Sequence, residues 1–418
     1  KCDYAHKYIE FMNYPAVVSR DKEAVAKLTA ALDAGKPCDG HAPALSGKKL
    51  NAYLCGGITT DHECDNKKEI EEKLSRGMYI ALRHGSSARN LQENCKAVNA
   101  KNLRRFLICT DDRHAVDLSQ SGHIDDALRT AVLAGMNPVY AVTCATLNAA
   151  ECYNLKWRGA IAPFYFADIA IVEDLENFKV RGVFKNGKLV ARGGVPLFGE
   201  GQENYLPPEV KNTVHIGQIT ADDFKITLKG TRAKVITVTS GSIVTGCEIK
   251  EIPSLNGDVN LAGMQVSKLA VIERHKMTGN IGLGLIKGYG FNGGAMGITV
   301  AHDSHNMIIV GDDNRSMAKL AHELARIGGG MAIYDRREDE MLSVPLDIGG
   351  IMSSAEPKEF VSACEKIYAK AYVMGVKPGV DAFLTLAFTS LAVVPHLKLL
   401  DTGLFDADKF RFTDINAD

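Results

Sequence analysis

Ile58-Thr59-Thr60-Asp61-His62-Glu63 is a short apolar and β-branched run that stops on a histidine flanked by two carboxylates. Residues of this kind favour strands, so the histidine and its acids stand where a strand ends. Cys38-Asp39-Gly40-His41-Ala42-Pro43 has the same character upstream, and Phe106-Leu107-Ile108-Cys109-Thr110-Asp111-Asp112 has it downstream. Each begins as a strand and finishes in residues able to hold a metal or move a proton. The three read as successive strand ends of one α/β barrel, where functional residues come from the C-terminal ends of parallel strands.

Working outward, residues 8–12 predict a strand and residues 21–34 a helix with Val25, Leu28 and Leu32 as its apolar positions, closed by Gly35. A strand over 38–41 precedes a helix that Ser46 would cap, running through Leu50 and Leu54 to Gly56-Gly57. After the 58–62 strand come a charged helix over 67–76, a strand over 78–83, a helix over 87–98, a strand over 104–110 and a helix over 122–134. Five alternations of strand and helix predict a parallel sheet covered by helices. A doubly wound sheet usually carries a glycine-rich phosphate turn after its first strand, and this sequence has none there. The barrel is therefore assigned to residues 1–154.

Beyond it the texture changes. Residues 155–195 contain short β-rich runs around Asn186-Gly187, a hairpin signal, and predict a small β-sandwich domain. Residues 196–216 are punctuated by proline and glycine and predict a linker. Residues 217–418 predict a C-terminal α+β domain, with strands at 235–238 and 269–272 and helices at 315–326 and 357–374. Its glycine-rich stretch, 278–284, lacks the Gly-Lys-Ser/Thr of a phosphate loop and predicts tight packing.

Composition narrows the partners. With 49 Lys+Arg against 50 Asp+Glu, the net charge of -1 gives no electrostatic reason to bind nucleic acid or an anionic membrane. The ten cysteines form no Cys-x-x-Cys pair, which suggests neither a zinc knuckle nor a disulfide framework and makes the reducing cytoplasm the expected setting. No window approaches the roughly 18 apolar residues of a membrane span. The expected partner is a small molecule.

Two histidines on consecutive strands, with Glu10 and Asp111 at other strand ends, make a mixed nitrogen and oxygen donor set suited to zinc, manganese or iron. A carboxylate ending an apolar strand needs a partner, so Asp111 reads as a ligand or a proton acceptor. Glu63 reads as a proton shuttle or as an orienter of His62, and spacing does not separate the two. The Arg83-His84-Gly85-Ser86 loop offers an arginine and backbone donors to a polar substrate. Asp112, His114 and His123 read as turn or cap residues. His302-Asp303-Ser304-His305 has metal-ligand residue types but reads first as a hydrogen-bonded turn between two strands.

These residues, in order, resemble the adenine deaminases of the amidohydrolase superfamily. The resemblance is carried by Glu10-Phe11-Met12-Asn13-Tyr14-Pro15, Asp39-Gly40-His41-Ala42-Pro43, Thr60-Asp61-His62-Glu63-Cys64 and Cys109-Thr110-Asp111-Asp112. It continues in Glu273-Arg274-His275, Thr278-Gly279-Asn280-Ile281-Gly282 and Val300-Ala301-His302-Asp303-Ser304-His305-Asn306. It implies hydrolysis of adenine to hypoxanthine and ammonia in purine salvage, by a binuclear manganese or iron centre with zinc as the alternative metal, in a homo-oligomer. It also implies roles: Glu10 bridging the metals, His41 and His62 on one of them, Asp111 on the other and taking a proton, Glu63 as acid, Arg83 and Ser86 on the substrate. Strands four to eight of the barrel are then the ones present, and the His-x-His strand that opens such barrels has no match here. The competing readings are a related cyclic-amide hydrolase and a truncated, catalytically inactive fragment.

Overall fold

The computed structural model describes residues 9–86, 88–198, 206–242 and 244–417. The chain divides into two compact units, Lys1–Glu203 and Asn204–Asp418.

The first unit is α/β. Its parallel strands are β1 (Ile9–Phe11), β2 (Cys38–Gly40), β3 (Thr60–Asp61), β4 (Tyr79–Arg83) and β5 (Phe106–Cys109). They lie side by side in chain order: β1 pairs β2, a parallel bridge joins Cys38 to Ile58 just before β3, and β4 lies between β3 and β5. A doubly wound sheet reverses its strand order at a switch point, and no reversal occurs in this series. Every strand therefore delivers its last residues to the same edge.

Helices fill the connections: α1 (Tyr14–Val18) and α2 (Lys22–Asp33), α3 (Gly47–Cys55), α4 (Lys67–Ser75) and α5 (Leu91–Asn94). After β5 come α6 (Ala115–Gln120), α7 (Ile124–Leu133), α8 (Pro138–Ala145) and α9 (Leu147–Cys152). Asp21 caps α2 by accepting the Glu23 and Ala24 amides, both at 3.0 Å. The buried stripe of α2 is Ala24, Leu28 and Ala31. Val25 and Leu32, predicted among its apolar positions, remain 44% and 46% exposed, because the i, i+4, i+7 stripe through Leu28 runs over Ala24 and Ala31. Ser46 precedes α3 without a side-chain capping bond; the Gly47 amide is taken instead by Glu72 at 2.8 Å.

The helix predicted over 87–98 is only α5 and a 3-10 turn, Cys95–Ala97, and Ser87 lies outside the described residues. The residues before α5 are used for tertiary bonds, Arg89 to Asp117 at 2.9 Å and Asn90 to the Cys64 carbonyl at 2.9 Å. Leu50, Ile58, Ile70, Ile80, Leu82 and Phe106 form the core between sheet and helices.

Four antiparallel strands follow, β6 (Ile169–Val172), β7 (Val180–Lys185), β8 (Lys188–Arg192) and β9 (Val195–Pro196), paired in chain order. Asn186 and Gly187 link β7 to β8 with φ of 49° and 75°, the left-handed pair of a tight hairpin turn. Among the described residues this region is a single sheet and not the predicted sandwich. Residues 155–168 form turns, interrupted by Pro163 and by left-handed Trp157, Gly159 and Phe164, and supply no second layer.

The second unit is built on an eight-stranded sheet. In spatial order the strands are Gly246–Glu251, Arg232–Thr237, Ile281–Lys287, Val266–Ile272, Met307–Gly311, Gly294–Ile298, Gly330–Asp335 and Glu340–Pro345. All neighbours are antiparallel except Arg232–Thr237 and Ile281–Lys287. The helix Asn314–Arg326, capped by Asp313 on the Ser316 amide at 2.9 Å, buries Met317, Leu320, Ala321 and Leu324 against Phe224, Ile309 and Ala332. A second long helix spans Pro357–Val373.

The glycine-rich stretch serves close packing, as its sequence predicts: a Cβ on Gly282 would sit 1.8 Å from the Leu400 carbonyl oxygen. Residues 302–305 lie in the connection between two paired strands, and His305 N donates to the Ala301 carbonyl at 2.5 Å. Arg274 is fully buried, and its guanidinium donates to the carbonyls of Thr213, Thr299, His305 and Gly349. Burial lowers its pKa to about 10. Among the described residues no helix is long and apolar enough to cross a membrane.

One glycine tests the packing of β2 on β3. A Cβ on Gly40 would lie 2.1 Å from the Thr60 carbonyl oxygen and 2.8 Å from Ile58 Cγ2, so Gly40→Ala has to part the strands that carry His41 and His62. Overpacking of this kind costs about 1–3 kcal/mol or more. The expected result is a lower chemical-denaturation midpoint, and an unchanged midpoint contradicts this packing.

Candidate metal centre

The shared edge of β1–β5 gathers Glu10, His41, His62, Glu63, Arg83 and Asp111. Glu10 Oε1 lies 3.7 Å from His41 Nδ1 and 3.6 Å from His62 Nε2, and Glu63 Oε1 lies 3.6 Å and 3.5 Å from the same two nitrogens. These spacings are too long for hydrogen bonds. They are close to the roughly 3.4 Å that separates two donors each about 2.1 Å from one tetrahedral ion. Two groups have ligand spacing, Glu10 with His41 and His62, and His62 with Glu63 and Asp111. His62 belongs to both.

His41 supplies the test of fit. Both its ring nitrogens are buried without a hydrogen-bond partner, an arrangement that costs free energy unless something else meets them. Burial, reinforced by the nearby His62, pushes its pKa down to about 3, so it presents the neutral imidazole that a metal requires. The donor set thus fits a divalent cation, which Glu10, His41 and His62 would hold with Asp111 alongside.

The charges around it are tuned in opposite directions. Burial would push His62 down, but the carboxylates of Glu63, Asp111, Asp61 and Glu10 hold it above the usual imidazole range. Burial raises Glu63 although Arg83 and His62 oppose the shift, and it raises Glu10 against His62. Asp111 also feels burial, yet His62 and Arg83 keep it below the usual carboxylate range. One side of the edge therefore favours a protonated acid and the other an ionised base. Asp111 holds a left-handed backbone, φ 54°, that turns the chain away from β5.

Arg83, read from sequence as a substrate contact, has its guanidinium on the two carboxylates. Nη2 donates to Glu63 Oε2 at 3.2 Å, and Nη1 donates to Glu63 Oε1 and to Asp111 Oδ2, the latter at 3.0 Å. Ser86 Oγ donates to Asp117 at 2.6 Å and accepts the His114 amide at 2.8 Å. His84 faces α7, with Nε2 3.1 Å from Asp126, itself bound by Arg113 at 2.5 Å. His114 and His123 stand at the N-cap positions of α6 and α7. His302 and His305 meet edge to face, centroids 6.1 Å apart, in the second unit and join no cluster of ligand spacing among the described residues.

Several supporting side chains escaped the sequence reading. Tyr53 on α3 accepts the His41 amide at 3.0 Å and donates to the Phe11 carbonyl at 2.7 Å, tying β1 to β2. Asp39 accepts the Thr60 hydroxyl and, at 3.2 Å, that of Tyr153. Lys73 on α4, fully buried, pairs with fully buried Asp61 at 2.7 Å. The one local signal for Lys73 is its place three residues after Ile70, on the stripe where an amphipathic helix carries apolar residues.

Because the folded chain keeps His41 neutral down to about pH 3 while an ordinary histidine protonates near 6.5, the unfolded state binds the extra proton between these values. Stability of the metal-free protein contributed by this residue is complete above 6.5 and is lost as the pH falls through that window. His41→Asn removes the titration. Its denaturation midpoint is expected to fall less steeply than the wild type's between about pH 6.5 and 4; an equally steep fall contradicts a neutral, buried His41.

Comparison with known proteins agrees over the whole length. Residues 1–190 match the amidohydrolase family and residues 242–411 match the adenine deaminase C-terminal domain. An adenine deaminase of Nitratidesulfovibrio vulgaris (strain DP4) is 41% identical over 409 residues, covering 98% of this chain and 71% of the relative. One from Clostridium acetobutylicum is 41% identical over 410 residues, with 96% and 71% covered. Adenine deaminase 2 of Carboxydothermus hydrogenoformans is 42% identical over 411 residues, with 97% and 71% covered. Among solved structures, a β-aspartyl dipeptidase from Fervidobacterium islandicum AW-1 aligns with 47% of this chain and 60% of its own at 17% identity and a TM-score of 0.36. By its identity to these relatives along nearly its full length, the chain belongs to the adenine deaminase family.

Proposed function

We propose that the chain is an adenine deaminase, hydrolysing adenine to hypoxanthine and ammonia in purine salvage. The observation that carries the reading is the 41% identity to a protein named adenine deaminase across 98% of this chain. In fold terms, β1–β5 are read as the fourth to eighth strands of an amidohydrolase-type barrel over residues 1–154. Residues 155–195 are a small β-domain, 196–216 a linker and 217–418 the C-terminal α+β domain.

In this reading two divalent cations, manganese or iron with zinc as the alternative, would be held by Glu10 between them, by His41 and His62 on one and by Asp111 on the other. When bound, such cations make hydroxide available at neutral pH. The chain's own groups do the rest. Asp111, kept ionised by His62 and Arg83, takes a proton from the nucleophile as it attacks the amino-bearing ring carbon. Glu63, whose burial favours the protonated acid, gives a proton to the adjacent ring nitrogen, so that the ring accepts electrons. Arg83 holds both carboxylates in place through their oxygens. Asp111 then passes the proton it took to the exocyclic amine, the carbon–nitrogen bond breaks and ammonia leaves. Homo-oligomeric assembly belongs to the same proposal.

The test is ammonia release and the adenine-to-hypoxanthine absorbance change on adding adenine to the manganese-loaded protein, with a cyclic amide as the competing substrate. Adenine turnover is expected; turnover of the amide alone overturns the substrate. Glu63→Gln is expected to lower kcat by about 10²–10⁴-fold at unchanged manganese content. Loss of manganese in this variant makes Glu63 a ligand rather than the acid.

A further inference from the structure

Asp61, Cys64 and Glu69 form a third group of metal-ligand types at ligand spacing, and a cation of the chain itself already fills it. Lys73 Nζ lies 2.7 Å from Asp61 Oδ2, 2.6 Å from Glu69 Oε1 and 2.7 Å from the Ala42 carbonyl oxygen. These three acceptors use all three ammonium protons. Cys64 Sγ completes the surround, donating to Asp61 Oδ2 at 3.2 Å.

The acceptors lie on the two segments that carry the histidines. Ala42 follows His41, and Asp61 precedes His62. The second oxygen of Asp61 accepts the Ala42 amide at 2.9 Å, so both backbone groups of residue 42 are held by the Lys73–Asp61 pair. Glu69 extends the hold, accepting the Ala44 amide at 2.9 Å through Oε1 and the Asp65 amide at 3.2 Å through Oε2. One helix thereby clamps the loops leaving β2 and β3. Between the loops the two imidazoles stand with centroids 5.4 Å apart and planes at 66°.

We propose that Lys73 is a positioning residue whose ammonium, standing where an external cation would otherwise sit, sets the separation of His41 and His62 and so the affinity of the centre for a divalent cation. The inference rests on the reading of Glu10, His41 and His62 as ligands. A pair that merely stabilised the fold would leave the affinity of the folded protein unchanged.

The experiment is calorimetric titration of the metal-free chain with Mn2+, at a temperature where each protein is folded, beside thermal unfolding without metal. Lys73→Met is expected to weaken Mn2+ binding by about ten- to a hundred-fold, the range for residues behind the ligands. It also leaves Asp61 buried without its partner, which can prevent folding, so Glu69→Gln is the second variant. That change keeps the Lys73–Asp61 pair but loosens the grip on Ala44 and Asp65, and a loss of about ten-fold in Mn2+ affinity is expected at a temperature where the variant is folded. Wild-type affinity in Glu69→Gln, or in a folded Lys73→Met, overturns the inference while leaving the ligand reading intact. Absence of Mn2+ binding by the wild type overturns the ligand reading, and the inference with it.

Discussion

Crowding of negative charge at one strand edge is the constraint on which the first unit depends. Glu10, Asp39, Asp61, Glu63 and Asp111 stand together, and like charges in a buried place disfavour ionisation of one another. The protein meets this with cations of fixed position. Lys73 neutralises Asp61, and Arg83 spans Glu63 and Asp111. Among the described residues no lysine or arginine pairs with Glu10 or Asp39, and both are raised by burial. The part of the edge left short of positive charge is the part that contains the unpartnered nitrogens of His41. Charge deficit and vacant donors coincide there, which is what a divalent cation relieves.

Much of this was legible because the signals are local. Runs such as Phe106-Leu107-Ile108-Cys109 and stops such as Gly77 and Gly135 declare themselves within a few residues, and the alternation they set up leads to the parallel series β1–β5. His41, His62, Glu10 and Asp111 stood out because a polar residue ending an apolar run is conspicuous, and the structure brings them to one edge. Asn186-Gly187 is likewise a two-residue code for a hairpin.

What stayed hidden depends on contacts between distant segments. Nothing around Lys73 distinguishes it from the other lysines of its helix until the fold carries it under the loops at 42 and 61. Tyr53 looks like an ordinary helix residue, and its hydroxyl matters only because β1 and β2 pass its tip. The inward face of α2 is legible only at Leu28: hydrophobicity points to Val25 and Leu32, whereas the buried stripe runs through Ala24 and Ala31. Arg83 and Ser86 were recognisable as polar groups at a strand end, but their bonds to Glu63, Asp111 and Asp117 lie with residues 20 to 31 positions away in the chain.

The left-handed backbone at Asp111 limits what can replace it. That conformation costs least for glycine and, among residues with a side chain, is favoured by asparagine and aspartate, although Trp157 and Phe164 also adopt it in this chain. Of these only aspartate is an acid, so the main chain restricts the choice at this position before any chemistry is selected. Glutamate, the nearest chemical substitute, would have to carry both backbone strain and a longer reach. Asparagine at this position would keep the turn and lose the acid, whereas glutamate would keep the acid and strain the turn.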